Sequence, residues 1–380
     1  MNTRIIIENS KSYAKIGLVT FHDFNYGSAL QCFATQKYLG LKGFDCEIIE
    51  RKPPRVRILG YISTAWSLFS LCLLNPKSFR IILSIFTSER RGALRITDKS
   101  ESLIIGFNDS FLNIVNYSYS KLKSEARKKH FLLFLSGSDQ VWNRDITGCF
   151  GNPFFLDFAN DQRKVAMSSS FGKGIWDEDK KYTAAVKALL SQFSVISVRE
   201  SSGVKIINNI MELEAINLPD PTIGYGKFED LVLNHKPLHQ VFSFLLLDDS
   251  KAKEKANHIA NTLDLPLFVH SSFSSRILNG PRHWLTRIRN SEYVITDSFH
   301  GLALSLIFNK QFFVFCASEK KFTRLRSLLQ LFSLEYRYVE SIEDFERRKE
   351  ELLCPIDYVH VNTVLQNEQE RYRTFIQNSI

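Results

Sequence analysis

The stretch from Tyr293 to Phe308, YVITDSFHGLALSLIF, constrains the fold more than any other part of the sequence. It opens with an apolar, β-branched run, passes through a polar turn and ends in apolar helix formers, which predicts a strand, a tight turn and a helix. Such a turn presents free backbone N–H groups and the positive end of a helix dipole at the carboxyl edge of a sheet. The sequence therefore predicts an anion-binding position at 297–301.

His300 is the group in this turn that titrates near neutral pH. The neighbouring Gly301 has no side chain to keep a ligand away from the backbone. A histidine at a strand-to-helix turn is either a functional group or a structural residue with hydrogen-bonded ring nitrogens. The pattern alone leaves both interpretations open.

The length of 380 residues exceeds one ordinary core and predicts two domains. Alternating strand and helix patterns on both sides of a Pro- and Gly-rich segment at 218–226 predict an α/β fold of two parallel sheets, with helices on both faces and a cleft between them. We expect an N-terminal domain over 1–225, a C-terminal domain over 226–340, and a charged helical tail over 341–380 that packs back onto the first domain.

The six cysteines are scattered without a C-x-x-C pair, which argues against a zinc site and a disulfide framework. The first residues contain no long apolar stretch of the kind found in secretory signals. Both features favour a cytoplasmic location.

Most of the net charge of +9 lies in the segment 51–95, where nine basic residues accompany one acid. Inside it, 58–74 is uncharged but too diluted by small polar residues to be a good membrane span, which needs about 20 mostly apolar residues. The segment is interpreted either as a helix or helical hairpin on an anionic membrane surface, or as a core helix with a solvated basic flank.

Two predicted strands end in loops where parallel sheets bind ligands. Asn25, Tyr26 and Gly27 follow the first strand and precede a helix, so they are either binding residues or a plain helix cap.

The second loop, SGSDQVWN, follows an apolar strand over 131–135. It combines hydroxyl, acid and amide groups with an aromatic ring expected to be exposed, as a sugar-binding edge requires. The candidates are Ser138, Asp139, Gln140 and Trp142.

A further predicted strand, 195–198, delivers Arg199 to its carboxyl end. An arginine placed there can bind a carboxylate or phosphate through two parallel hydrogen bonds. The alternative is a surface ion pair between Arg199 and Glu200.

The order of these motifs resembles the polysaccharide pyruvyl transferase family, in its TDSFHG-type subgroup. The resemblance covers Ile16 to about Leu334, and the motifs that carry it are NYGSALQ, SGSDQVWN, FFLDF, SSSFG, SVRE, DPT and VITDSFHGL. It implies two Rossmann-like domains facing a central cleft as in GT-B glycosyltransferases. It also implies transfer of pyruvate from phosphoenolpyruvate onto two hydroxyls of a sugar as a ketal.

The resemblance implies no metal and no cofactor, with phosphoenolpyruvate as a co-substrate. The acceptor would be a cell-surface polysaccharide precursor, often lipid-linked on the cytoplasmic side, so peripheral contact with the inner face of the membrane is expected and a nucleic-acid partner is not. The first domain would face the acceptor and the second the donor.

By the same resemblance, His300 is the general acid or a phosphate contact, and Arg199 is the clamp for the donor. Ser298 and Gly301 complete the donor-binding turn. The sequence departs from the family where members carry Arg two positions before the histidine, because that place is taken by Ser298. Our hypothesis is that Arg324, rather than Arg326, replaces the lost cation.

Two other functions remain open at this point. The same two-domain cleft serves glycosyltransferases that use nucleotide sugars. The loss of the expected arginine also fits a glycan-binding or assembly protein without catalytic activity.

Overall fold

The computed structural model describes residues 14–23, 25–51, 98–148, 152–159, 161–246, 250–271, 280–316 and 319–380. The predicted insertion at 51–95 therefore lies outside the described residues, apart from Arg51. No helix within the described ranges is long and apolar enough to cross a bilayer.

The larger sheet has seven parallel strands in the order β3-β2-β1-β4-β5-β6-β7. Its central strands β4 and β5 are buried along their whole length, as expected for strands covered on both faces. The strands are β1 (Ala14–Val19), β2 (Phe44–Arg51), β3 (Ile114–Tyr117), β4 (Leu133–Ser136), β5 (Lys164–Ser169), β6 (Val195–Val198) and β7 (Ile216–Asn217).

The smaller sheet has four parallel strands in the order β11-β10-β8-β9. They are β8 (Leu238–Leu245), β9 (Leu267–Ser271), β10 (Ser291–Thr296) and β11 (Gln311–Val314). The predicted α/β class, with parallel sheets and helices on both faces, is thus confirmed.

Helices lie between most successive strands of both sheets. They are α1 (Tyr26–Leu41), α2 (Asp98–Phe111), α3 (Tyr119–Arg127), α4 (Arg144–Thr147), α5 (Lys180–Leu190), α6 (Ser201–Asn209), α7 (Pro221–Tyr225), α8 (Ser250–Thr262), α9 (Pro281–Asn290), α10 (Phe299–Ile307), α11 (Glu319–Leu331), α12 (Ile342–Arg347), α13 (Lys349–Leu353) and α14 (Tyr358–Ser379). Short 3-10 turns lie at Asn152–Phe155, Glu229–Leu231 and Glu335–Arg337.

The strand order reverses once in each sheet, between β1 and β4 and between β8 and β10. Open parallel sheets bind ligands at such points, beyond the carboxyl ends of the strands. The loop carrying Ser138 follows β4, and the turn carrying His300 follows β10. The topology therefore puts both predicted loops at the positions where a ligand is expected.

The two sheets share one hydrophobic core at their junction. A single cluster of buried side chains contains Ala29 and Phe33 of α1 together with Phe242 of β8 and Leu302 of α10. The first helix therefore packs against the second half of the chain, and its N-terminus lies beside α10.

The C-terminal helix α14 packs on the larger sheet. Tyr372 is buried in a cluster with Ile16, Leu133 and Val165 of that sheet. A Cβ on Gly224 of α7 would lie 2.4 Å from its ring, so α14 and α7 are in close contact. The limits of the domains themselves stay a prediction.

Candidate functional site

Asn25 is a helix cap. Its side-chain oxygen accepts a hydrogen bond from Ser28 N at 2.9 Å, and Ser28 Oγ accepts one from Asn25 N at 2.9 Å. Asn25 therefore has the capping role that the sequence allowed, and a role in binding stays a prediction. The next residue but one, Gly27, has a different role, because a Cβ there would lie 2.2 Å from Nδ1 of His300.

Tyr26 is buried in an aromatic group. Its ring stacks with His270 at 6.4 Å between centroids and lies 6.0 Å from Trp284. Burial raises the pKa of its hydroxyl, so it stays protonated at neutral pH.

The loop after β4 is tied to the neighbouring strands. Thr20 Oγ1 donates to the carbonyl of Ser138 at 2.9 Å, and Ser138 Oγ donates to Asp220 Oδ2 at 2.8 Å. Asp139 is also buried, with 4% of its surface exposed. Both residues thus belong to the interior of the site rather than to its rim.

The expected exposed aromatic ring is absent at Trp142. Its side chain is buried, its Nε1 donates to Phe154 O at 3.1 Å, and its ring stacks on Phe155 at 5.6 Å. The prediction of an exposed platform is wrong because FFLDF covers the indole as part of the core. Gln140 is partly exposed and accepts a hydrogen bond from Asn143 Nδ2 at 3.1 Å.

Arg199 lies at the centre of a buried acidic cluster. Its Nε donates to Glu200 Oε1 at 3.0 Å, its Nη1 donates to Asp220 Oδ2 at 2.9 Å, and its Nη2 lies 3.6 Å from Asp139 Oδ1. Burial opposes the charge, but the three carboxylates raise the pKa of the guanidinium above its ordinary value.

This geometry corrects one expectation about Arg199 and bears on another. The pair with Glu200 exists, but it is buried rather than on the surface. The face of the guanidinium lies on the Phe299 ring at 4.2 Å. The carboxylates already compensate the charge of Arg199, which disfavours binding of the donor by its guanidinium. That role stays a prediction.

Asp220 is a site residue that the sequence interpretation missed. It caps α7 by accepting from Thr222 N at 2.9 Å, which its position in the DPT motif, an N-cap followed by proline, could have indicated. Burial alone would raise its pKa, but His300 and Arg199 bring the pKa down to about 2. The carboxylate is therefore ionised at neutral pH.

The turn after β10 has the predicted form. Ser298 caps α10, accepting from Gly301 N at 3.3 Å, and a Cβ on Gly301 would lie 2.5 Å from Thr296 Oγ1. Asp297 Oδ1 accepts from Leu246 N at 2.6 Å and joins the turn to the end of β8. Capping and close packing therefore fix the direction in which His300 leaves the turn.

His300 is buried, with 6% of its surface exposed, and faces the acidic cluster. Its Nε2 lies 3.8 Å from Asp220 Oδ2, beyond hydrogen-bond distance, and has no hydrogen-bond partner among the described residues. Burial lowers the pKa of the imidazole, and Arg199 and Arg324 act in the same direction, against Asp220 and Asp139. The ring is therefore mostly neutral at pH 7.

Arg324 lies in the same electrostatic environment. It is partly buried, and within the described part of the chain its Nε is enclosed without a hydrogen-bond partner. Burial and the charge of Arg199 lower its pKa. The preceding Thr323 faces Gly174, where a Cβ would lie 3.2 Å from Thr323 Cγ2. This end of α11 therefore contacts the loop that follows β5 of the larger sheet. The neighbouring Arg326 is exposed and stacks on Phe322.

The balance of charge in this cluster does not match the positive crevice expected for an anionic donor. With His300 neutral, three carboxylates (Asp139, Glu200 and Asp220) face two guanidinium groups (Arg199 and Arg324). Protonation of His300 would remove the excess of negative charge.

A separate group of side chains near the end of β1 has cation-binding chemistry. His22, Asp23 and Glu50 offer ligand atoms that all lie within 4.8 Å of one another. Asp23 is exposed, and His22 Nε2 lies 4.0 Å from Glu50 Oε1. Such groups also occur without metal, and this one lies apart from the contacts of His300 described above.

The sequence matches a family of known proteins. A family model described as polysaccharide pyruvyl transferase matches residues 25–315. This range includes every candidate site residue except Arg324. No curated protein matches the sequence significantly.

Comparison with solved structures shows the fold. A protein from Listeria monocytogenes described as a UDP-N-acetylglucosamine 2-epimerase is similar with a TM-score of 0.52 and 7% identity, over 96% of each chain. Phytolacca americana UGT2, complexed with UDP-2-fluoro-glucose and pterostilbene, has a TM-score of 0.48 and 8% identity, over 95% of this chain and 94% of that chain. Arabidopsis thaliana UGT89C1, complexed with UDP-L-rhamnose, has a TM-score of 0.48 and 6% identity, over 95% of each chain.

Proposed function

Since the chain belongs to the polysaccharide pyruvyl transferase family, we propose that it transfers pyruvate from phosphoenolpyruvate to a sugar of a cell-surface polysaccharide precursor. The product is a cyclic ketal on two hydroxyls of that sugar. Within the family we place the chain in a TDSFHG-type subgroup, defined by Ser298 in the place of an arginine.

One observation carries the proposal. His300 Nε2 and Arg324 Nε are both enclosed and lack hydrogen-bond partners among the described residues. Leaving buried donors unpaired costs about 1–3 kcal/mol each, so a ligand that pairs with both gains this energy on binding. A phosphate or carboxylate oxygen is the acceptor that matches an arginine and a protonated histidine.

The chemistry requires an acid, a base and a site for phosphate. A proton is added to the methylene carbon of phosphoenolpyruvate, and the adjacent carbon becomes electrophilic. One sugar hydroxyl attacks that carbon and loses its proton, phosphate leaves with the electron pair of the C–O bond, and the second hydroxyl closes the ketal. Two protons leave the sugar hydroxyls. One of them replaces the proton that was added to the methylene carbon, and the other leaves with phosphate.

We assign protonated His300 to the first step and Arg324 to the departing phosphate. Preorganised charges in a buried site stabilise developing charge more than water does. The α10 N-terminus, which begins at Phe299, adds its dipole to the same end of the site.

The acceptor is proposed to enter on the side of the larger sheet. Asp139 and the partly exposed Gln140 offer oxygens that accept hydrogen bonds from sugar hydroxyls. Gly27 and Tyr26 lie at the junction with His300, while Trp142 supports the loop from the core.

We also propose that the basic segment at 51–95 contacts anionic lipid on the cytoplasmic face of the membrane, where a lipid-linked acceptor is held. Replacing its arginines by glutamine should weaken sedimentation with anionic vesicles. Unchanged sedimentation would refute the contact with lipid.

The direct test of function is incubation of the protein with phosphoenolpyruvate and extracted lipid-linked oligosaccharide. The expected result is release of inorganic phosphate together with the mass of a pyruvate ketal on the glycan. His300→Ala should lower this activity about 10²–10⁴-fold, and His360→Ala, at an exposed histidine of α14, is the matched control.

Release of nucleotide from a UDP-sugar, with no phosphate from phosphoenolpyruvate, would identify a glycosyltransferase instead. Glycan binding without turnover of either donor would identify a binding or assembly protein. Either outcome contradicts the proposed reaction.

A further inference from the structure

We propose that Asp220 is a positioning residue that holds a fixed negative charge opposite Nε2 of the His300 imidazole. The inference rests on the proposed function for the role of the histidine as an acid. It goes further by naming the group that prepares this acid.

The carboxylate of Asp220 is held by several hydrogen bonds. Its Oδ1 accepts from Thr222 N at 2.9 Å, and its Oδ2 accepts from Ser138 Oγ at 2.8 Å and from Arg199 Nη1 at 2.9 Å. The residue is 1% exposed. Because these donors come from three different loops, the carboxylate cannot rotate without breaking several buried hydrogen bonds.

The imidazole of His300 is enclosed between Asp220 and Gly27. A Cβ on Gly27 would lie 2.2 Å from Nδ1, so the backbone of α1 closes that side of the ring, and Nε2 lies 3.8 Å from Asp220 Oδ2. At this distance the carboxylate still favours the imidazolium but does not occupy its N–H. Nε2 therefore stays free to donate a proton to a ligand.

The other charges around the ring show why this carboxylate matters. Arg199 and Arg324 disfavour the imidazolium, as does burial, whereas Asp220 and Asp139 favour it. Asp220 is the acid for which a direct approach to Nε2 is seen. Of these groups, only Asp139 would remain to oppose burial and the two guanidinium groups if the charge of Asp220 were removed.

The test is Asp220→Asn in the full-length protein, which keeps the shape of the side chain and its ability to cap α7. Histidine ring ¹⁵N NMR should show the pKa of His300 falling, with the imidazolium fraction at fixed pH reduced at least about tenfold. The kcat with phosphoenolpyruvate should fall by a similar factor, and the alkaline limb of its pH profile should move to lower pH. Asp344→Asn is the matched control, since Asp344 also has a pKa of about 2 but pairs with Arg348 away from the site.

An unchanged His300 titration in folded Asp220→Asn would overturn the proposal. If that variant does not fold, the wild-type protein decides: the neutral ring should carry its proton on Nε2, facing the carboxylate, and a proton on Nδ1 would overturn the proposal. Both NMR measurements are independent of turnover, so a failure of pyruvyl transfer and a failure of this inference are distinguishable.

Discussion

The carboxyl edges of the two sheets differ in how far their cationic groups are paired with carboxylates. At the edge of the larger sheet, Arg199 forms buried ion pairs with Asp139, Glu200 and Asp220, although its Nη2 has no hydrogen-bond partner among the described residues. At the junction with the smaller sheet, His300 and Arg324 each keep an enclosed nitrogen without a partner among the described residues.

The difference indicates that Arg199 has a structural role, whereas His300 and Arg324 are available to bind a ligand. A buried arginine with several acid partners holds loops together, and removing it leaves uncompensated carboxylates. A buried donor without a partner reduces stability until a ligand supplies the acceptor. We therefore assign the organisation of the site to the first edge and donor binding to the second.

Removing Arg199 should have the largest effect on stability. Arg199→Ala leaves three carboxylates buried without their cation, which we expect to destabilise the protein by about 3–5 kcal/mol. Urea unfolding followed by circular dichroism measures this change. A variant as stable as the wild type would remove the distinction between the two edges.

Removing Arg324 should affect binding instead. Arg324→Ala should raise the KM for phosphoenolpyruvate about 10–100-fold, the value of a hydrogen bond to a charged group, with little loss of stability. Steady-state kinetics at fixed acceptor concentration measure it, with Arg326→Ala as control because that side chain is exposed in the same helix. An equal effect of both substitutions would contradict the assignment.

The contact between the edges can be tested through Gly27. Its substitution by alanine forces His300 to move, which should cost about 1–3 kcal/mol of stability and lower kcat. Gly40→Ala in the same helix meets nothing within 4 Å and should stabilise the protein by about 0.4–1 kcal/mol. Thermal unfolding of both variants provides the comparison, and a neutral Gly27→Ala would show that α1 does not fix the imidazole.

Because the donor is an anion and His300 can take up a proton, donor affinity should depend on pH. The affinity should change by at most about tenfold per pH unit. Because burial lowers the pKa of His300, binding of an anion should be accompanied by proton uptake, and affinity should fall as pH rises above neutral. Calorimetry in two buffers of different ionisation enthalpy measures the protons bound. Proton release on binding would contradict this sign.

The same lowered pKa has an opposite consequence for stability of the free protein. Unfolded histidine binds a proton below about pH 6.5, whereas buried His300 resists it, so this residue makes stability fall as pH falls through that range. Asp220 adds a second loss at lower pH, between about 4 and about 2, where the unfolded carboxyl is protonated before the folded one.

Much of the fold was readable from local patterns. The apolar run before Asp297, the polar turn and the helix after it appear as β10 and α10, with the helix cap at Ser298. The short strand β7 and helix α7 were not predicted, because two and five residues are too few to show a period.

The site was readable only in part. The approach of Gly27 to His300 and of Asp220 to Arg199 joins residues far apart in the chain, and no local pattern records such contacts. Trp142 shows the converse limit, since its partners Phe154 and Phe155 decide that it is buried. Motif spacing located the loops, whereas tertiary packing decided which side chains face a ligand.

We propose that the donor binds at the junction where His300 and Arg324 each have a buried nitrogen without a hydrogen-bond partner among the described residues. A crystal structure with phosphoenolpyruvate bound tests it most directly. We expect a phosphate or carboxylate oxygen of the donor within hydrogen-bond distance of His300 Nε2 and of the Arg324 guanidinium, with the Arg199 ion pairs intact. A donor bound to Arg199 after displacement of its carboxylates, or bound away from both groups, would contradict it.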